Sequence, residues 1–274
     1  MPAGSTAFVL GGGGVLGAVE VGMLRALLEA GVRPDLVLGT SVGAVNGVFV
    51  AAEPTPAAVV RLAELWQELA GRVFAGSLVR QVGTAVRTRT SLHRSGPLRR
   101  LLLEHLQVRD FSELEVPFAC VAASVERAAE HWFDEGPLVE AVLASAAVPG
   151  LLPPVLVGDE HYLDGGLVNS IPVGEAVRRG AQTVWVLQVG RVERPLQAPR
   201  QPWQVASVAF EIARRHRFAS DMARVPEGVA VHVLPTGAGE PGRLDDLRYR
   251  DTSRVADRVA RAHAASRAYL EALL

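Results

Sequence analysis

A serine between two glycines stands where a predicted strand turns into a predicted helix. Residues 39 to 43 read Gly-Thr-Ser-Val-Gly, between the apolar run from Leu36 to Leu38 and a small-residue helix from Val42 to about Ala52. This is the setting of a nucleophile elbow, in which the sharp turn pushes the hydroxyl outward and Gly39 and Gly43 avoid collisions. The pattern predicts Ser41 as a nucleophile for acyl transfer. The alternative is a serine that caps the helix, with glycines present for packing.

A serine hydroxyl needs a base to accept its proton, and the sequence offers two kinds. Asp164 ends a short predicted strand and precedes Gly165 and Gly166, so its carboxylate can emerge at the edge of a sheet. Its ordinary pKa of about 3.9 makes it a weak base, and a partly apolar site would raise that pKa. Asp-Gly is also a common turn. His232 lies later in the chain, on a predicted strand, and would be the base of a histidine-dependent hydrolase.

Four successive glycines, Gly11 to Gly14, join the first predicted strand to a helix. Bare backbone amides beside a helix N-terminus favour an anion. A dinucleotide pyrophosphate would fit the spacing of Gly12, Gly14 and Gly17, but it also requires an acidic residue at the end of the second strand. Asp35 precedes that strand, and the serine motif follows it. We therefore favour the other anion, the transient oxyanion of acyl transfer.

Taken together, the glycine loop, the serine motif and Asp164–Gly165–Gly166 resemble the patatin-like phospholipase family, in the family's order. The stretch from Ala144 to Gly150 with Pro153 and Pro154, and the later Asn169, Pro172 and Val173, are similar as well, so the resemblance runs from about Phe8 to Val189. It implies that Ser41 attacks an ester carbonyl of a lipid, that Asp164 accepts its proton, and that an acyl-enzyme forms. It also implies that the amides of Gly12, Gly13 and Gly14 hold the oxyanion, without metal or cofactor.

One position departs from the family's pattern. The glycine loop of the family usually carries a basic residue where this sequence has Leu16. The missing charge bears on rate and on headgroup preference, and leaves the backbone donors in place. It keeps open a non-catalytic protein on the same scaffold that binds a lipid or a nucleotide.

The order of predicted elements indicates the fold class. Strands alternate with helices, which implies a three-layer α/β/α architecture around a mostly parallel central sheet. The segment from His131 to Phe133 is expected to pair with the strand from Pro117 to Ser124. We expect a single domain over residues 1–274, in which 8–189 carry the motifs and 190–274 complete the fold. Residues Arg191 to Pro202 read as a linker.

Composition excludes several function classes. Apolar residues make up 49% and charged residues 21% of the chain, as in a soluble globular protein. The net charge of −1 gives no field that favours nucleic acid. There is no lysine, so lysine-based catalysis is excluded, and the single Cys120 is expected to be a packed thiol. No secretory signal and no long apolar run are visible, so we expect a cytoplasmic protein.

The residues between Glu68 and Glu104 form an arginine-rich stretch without an acidic residue. Its seven arginines are Arg72, Arg80, Arg87, Arg89, Arg94, Arg99 and Arg100, with apolar residues between them. One hypothesis is a mobile cover, over about residues 72–103, that also touches an anionic membrane surface. The alternative is a solvated helical excursion paired with acids elsewhere. A second cluster, from Arg214 to Arg217, is expected on a helix surface.

Overall fold

The computed structural model describes residues 4–72, 96–189, 195–199, 201–237 and 255–273. Within these ranges eight strands form one sheet, in the order β5-β6-β3-β2-β1-β7-β8, with β4 also paired to β3. The strands are β1 (Thr6–Leu10), β2 (Leu36–Thr40), β3 (Phe118–Ser124), β4 (Ala129–Phe133), β5 (Val155–Val157), β6 (Glu160–Asp164), β7 (Thr183–Leu187) and β8 (Ala230–Val233).

The sheet has a parallel part and an antiparallel part. Strands β3, β2, β1, β7 and β8 are parallel neighbours. Strands β4 and β6 run antiparallel to β3, and β5 runs antiparallel to β6. The pairing expected for His131 to Phe133 is confirmed, since β4 pairs with β3 along its whole length. The β5–β6 hairpin, which turns at Gly158, was not predicted from the sequence.

Helices cover both faces of the sheet, as the three-layer prediction requires. They are α1 (Ala18–Glu29), α2 (Val42–Ala52), α3 (Pro56–Arg72), α4 (Gly96–His105), α5 (Leu138–Ser145), α6 (Val173–Arg178), α7 (Pro202–Met222) and α8 (Val255–Leu273). Because strand side chains alternate between faces, Phe8 and Leu10 pack among α1–α5 and α8, while Ala7 and Val9 pack among α6 and α7. The fold class predicted from the sequence is confirmed.

The late elements pack onto the same sheet. Strand β8 extends it by pairing with β7. Helix α8 lies against α1 so closely that a side chain on Gly22 would overlap the backbone of Val259. These contacts favour a single domain, which stays a prediction.

The predicted cover and the predicted linker agree with the structure only in part. The predicted cover falls largely on residues 73–95, outside the described residues. Of its arginines, Arg99 forms an ion pair with Glu140 of α5, as the alternative of pairing with acids elsewhere requires. Helix α7 begins at Pro202, the last residue of the predicted linker, and proline suits the first turn of a helix. No helix in the described ranges is long and apolar enough to cross a membrane.

Candidate active site

Strand β3 brings Ser41 and Asp164 together. On one edge β3 pairs with β4; on the other it pairs first with β2 and then with β6. Thr40, the last residue of β2, lies opposite Val121, and Asp164, the last residue of β6, lies opposite the next residue, Ala122. Since β2 runs parallel and β6 antiparallel to β3, the C-terminal ends of β2 and β6 meet head-on at this edge.

Ser41 occupies a strained turn between β2 and α2. Its backbone has φ 56° and ψ −122°, a conformation that non-glycine residues rarely adopt. A Cβ on Gly39 would lie 2.5 Å from Cα of Ala44, and a Cβ on Gly43 would overlap the carbonyl of Leu10. The two glycines therefore let α2 start directly at the serine and approach the end of β1. This is the elbow that the sequence predicted.

The hydroxyl of Ser41 donates a hydrogen bond to Oδ2 of Asp164 at 2.5 Å. The other carboxyl oxygen, Oδ1, accepts the backbone N–H of Gly166 at 2.7 Å. Burial raises the pKa of Asp164 from 3.8 to about 6, against these two hydrogen bonds, which lower it. The carboxyl is thus held at the Ser41 hydroxyl with a pKa closer to neutral than that of an exposed aspartate, as a general base would need.

Two further hydrogen bonds fix the backbone around Ser41, and neither was predicted from the sequence. The backbone N–H of Ser41 donates to Oγ of Ser145, a buried residue at the end of α5, at 2.9 Å. The hydroxyl of Thr40 donates to the carbonyl of Asn169 at 2.9 Å. Ser145 lies in a run of alanines, and a lone polar residue there is the signal that could have marked it.

The glycine loop follows the C-terminal end of β1, beside the C-terminal end of β2 that leads to Ser41. Contrary to the expected role of Gly12, its backbone N–H donates to the carbonyl of Ser170 at 2.9 Å, so this amide is already engaged. Gly13 lies so close to Val189 that a side chain there would overlap it, and Gly14 has φ 55°. The oxyanion role expected for the amides of Gly13 and Gly14 stays a prediction.

His232 lies far from the serine along the sheet. It is on β8, the last strand of the described sheet order, and two strands (β7 and β1) separate β8 from β2, the strand that precedes Ser41. Its ring stacks on Trp185 at a centroid distance of 4.4 Å, and Nδ1 lies 3.3 Å from the hydroxyl of Tyr269. The structure therefore does not bring together the groups of a Ser–His pair at this position.

A buried polar network links the start of α1 to α2 and α3. The side-chain amide of Asn46 donates to the carbonyl of Gly17 at 3.0 Å and to Oε2 of Glu20 at 2.7 Å, and its oxygen accepts the indole N–H of Trp66 at 2.8 Å. Burial raises the pKa of Glu20 well above 4.5. This network was not predicted from the sequence, although Asn46 is the one polar side chain in α2.

Arg214 and Cys120 were also predicted from the sequence, to be exposed and buried, respectively. Arg214 is buried, and its guanidinium lies 3.2 Å from Oε1 of Gln188, so a surface position for this arginine was wrong. Cys120 is buried as predicted, and burial raises the pKa of its thiol. Within the described ranges no group of three His, Cys, Asp or Glu side chains could hold a metal ion.

Comparison with known proteins identifies relatives of this arrangement. The family model of the patatin-like phospholipases matches residues 8–177. The mouse patatin-like phospholipase domain-containing protein 6 is 33% identical over 186 residues, which cover 67% of this chain and 13% of that protein. Lysophospholipase NTE1 of Kluyveromyces lactis is 29% identical over 185 residues, which cover 68% of this chain and 12% of that protein. The chain thus spans about an eighth of the length of these relatives.

Among solved structures, VipD from Legionella pneumophila aligns with 97% of this chain and 67% of its own chain. The sequence identity is 13% and the TM-score is 0.45.

Proposed function

The chain belongs to the patatin-like phospholipase family, and from this membership we propose that it is a serine acyl hydrolase that cleaves carboxylic esters of lipids. Ser41 is the nucleophile and Asp164 the general base. The observation that carries the proposal is the hydrogen bond from the Ser41 hydroxyl to the buried Asp164 carboxylate.

We propose that the reaction proceeds in two halves. In the first half, the Ser41 oxygen attacks the ester carbonyl while Asp164 takes the hydroxyl proton, and the amides of Gly13 and Gly14 stabilise the tetrahedral oxyanion. The alcohol then leaves with the proton from Asp164, and the acyl group stays on Ser41. In the second half, water attacks the acyl-enzyme, Asp164 accepts a proton from that water, and the fatty acid is released as Ser41 regains its proton.

Relatives named phospholipase and lysophospholipase point to the substrate class. We propose an ester of a phospholipid or lysophospholipid as the substrate. Comparing the lipid classes consumed by the wild-type chain and by Ser41→Ala identifies it. Equal lipid profiles for the two proteins would contradict the assignment.

Hydrolysis of short-chain nitrophenyl esters tests the two catalytic assignments. Ser41→Ala and Asp164→Asn should each lose at least about 1000-fold in kcat, since each removes a group without which the first half fails. His232→Ala is the matched control and should keep the wild-type rate, because its ring lies at the far edge of the sheet. A wild-type rate in Asp164→Asn together with an inactive His232→Ala would replace this proposal with a histidine-dependent one.

Labelling by a fluorophosphonate separates an enzyme from a binding protein on the same scaffold. The wild-type chain should be labelled at Ser41. A protein that binds lipid without turnover would leave Ser41 unlabelled.

Contact with an anionic membrane surface stays a proposal based on the arginine-rich stretch. Sedimentation with anionic vesicles should exceed sedimentation with neutral vesicles, and salt should weaken it. Equal and salt-independent binding to both would rule the contact out.

A further inference from the structure

The hydroxyl of Ser170 is buried beside the glycine loop. Ser170 is 2% exposed, and its Oγ has no hydrogen-bond partner among the described residues. A Cβ placed on Gly12 would lie 3.2 Å from this Oγ and 3.4 Å from Cβ of Ser41. The hydroxyl and the nucleophile therefore lie against the same point of the loop.

The backbone of Ser170 occupies an amide of the glycine loop. Its carbonyl accepts the N–H of Gly12 at 2.9 Å, which turns that amide away from any oxyanion. The glycine loop is thereby held to the segment after Asp164 and gives up one of three successive amides. The hydroxyl of the same residue lies beside Gly12, 3.2 Å from where a Cβ on this glycine would stand, and it has a proton to donate.

An unpartnered buried hydroxyl costs free energy in the free protein, because it has lost its hydrogen bonds to water. If an acceptor appears only in the transition state, the hydrogen bond forms there and not in the ground state. Such an interaction lowers the activation barrier without tightening substrate binding. A hydroxyl that lacks a partner at rest is thus suited to stabilise an oxyanion.

We propose that Ser170 is a catalytic residue whose hydroxyl donates a hydrogen bond to the oxyanion, in place of the Gly12 amide. This inference rests on the proposed function and deepens it at the same site. The donors to the oxyanion are then the hydroxyl of Ser170 and the amides of Gly13 and Gly14.

Ser170→Ala tests the proposal, because alanine removes the hydroxyl and keeps the carbonyl that holds Gly12. With nitrophenyl esters, kcat should fall about 100-fold while KM stays within about threefold, as for the loss of one oxyanion donor. The inhibition constant of a trifluoromethyl ketone, which forms a tetrahedral oxyanion adduct with a serine, should weaken by a similar factor. The melting temperature should stay equal or rise, because the unpartnered group is gone.

Two variants control for effects of packing. Ser266→Ala removes another buried serine hydroxyl, on helix α8, which donates to the carbonyl of Pro235, and this variant should keep the wild-type kcat. Ser170→Thr keeps a hydroxyl and should retain kcat to within about tenfold of wild type. Rates are normalised to the fraction of protein that a fluorophosphonate labels, so partial unfolding does not imitate a catalytic loss.

The outcomes separate this inference from the proposed function. If Ser41→Ala is inactive but Ser170→Ala matches wild type in kcat and in ketone inhibition, the inference is overturned and the proposed function stands. If Ser170→Ala lowers the melting temperature without changing kcat, the hydroxyl is a structural group satisfied by water, and the inference fails. If Ser170→Thr falls as far as Ser170→Ala, the hydroxyl is not the cause. Activity that persists in Ser41→Ala would overturn the proposed function itself.

Discussion

Replacing Asp164 with asparagine should stabilise the folded protein while it abolishes hydrolysis. Burial raises the pKa of this carboxyl from 3.8 to about 6. Each pKa unit corresponds to about 1.4 kcal/mol, so keeping the carboxyl ionised in the folded state costs about 3 kcal/mol at neutral pH. Asparagine has no charge to bury. Its oxygen can still accept the N–H of Gly166, and its amide can donate to the hydroxyl of Ser41, so the geometry is kept.

The sign of the effect depends on pH. Below about pH 3.8 the carboxyl is protonated in both the folded and the unfolded chain, and Asp164 contributes no penalty. As the pH rises from about 4 to about 6, the unfolded chain ionises first, so the wild-type protein loses stability relative to the asparagine variant. Above about pH 6 both states are ionised and the difference is constant.

Urea unfolding at several pH values between 4 and 8 measures this difference. The free energy of unfolding of Asp164→Asn should exceed that of wild type by about 3 kcal/mol at pH 7 and by little at pH 4. Asp110→Asn is the matched control of opposite sign. Asp110 is partly exposed, and its hydrogen bonds from Ser112 lower its pKa, so the same substitution should destabilise at neutral pH. A difference for Asp164→Asn that is negative, or equal at every pH, would refute the reasoning.

Three further predictions concern ionisation and the buried network. The kcat/KM for a neutral ester should fall as the pH drops through about 6, because protonated Asp164 accepts no proton; a flat profile from pH 5 to 8 would contradict its role as base. Asn46→Ala should lower the free energy of unfolding by about 3 kcal/mol, because the N–H of Trp66 and the carbonyl of Gly17 lose their partner. The control Trp66→Phe leaves the hydrogen bond to Gly17 in place and should cost less. Equal losses of the two variants in urea unfolding would show that the network is not the cause. Burial raises the pKa of Glu20, so wild-type stability should decline as the pH rises above about 4.5, and Glu20→Gln should flatten that decline; parallel pH–stability curves would contradict it.

The sequence predicted the parts of the site that depend on local turn chemistry. The elbow at Ser41 was predictable because strand, glycines and helix are neighbours in the chain, and each leaves its own mark on composition. Helix α3 begins at Pro56, and the hydroxyl of Thr55 before it accepts the N–H of Ala58, which is the local pattern of a threonine cap followed by proline. Asp164 was placed at a strand end for the same kind of reason.

Features that depend on distant contacts were not predictable. The engagement of the Gly12 amide depends on Ser170, far away in the chain, and no residue type near Gly12 signals it. Arg214 was predicted on the surface because arginines in series usually face solvent. It is buried because α7 packs near Gln188, which lies far from Arg214 in the chain. The head-on meeting of β2 and β6 is a matter of register along β3, which periodicity within single strands does not specify.

The unfavourable features of this site are the ones that the proposed chemistry uses. Ser41 has a strained backbone, Asp164 is a buried carboxylate with little to neutralise it, and the hydroxyl of Ser170 lacks a partner. Each is stable only because the surroundings hold it, as Ser145 holds the amide of Ser41 and the amide of Gly166 holds Asp164. The strained backbone presents the hydroxyl of Ser41, burial raises the pKa of Asp164, and the unpartnered hydroxyl of Ser170 is free to donate to the proposed oxyanion. Relieving any of the three should therefore stabilise the fold and slow the reaction together.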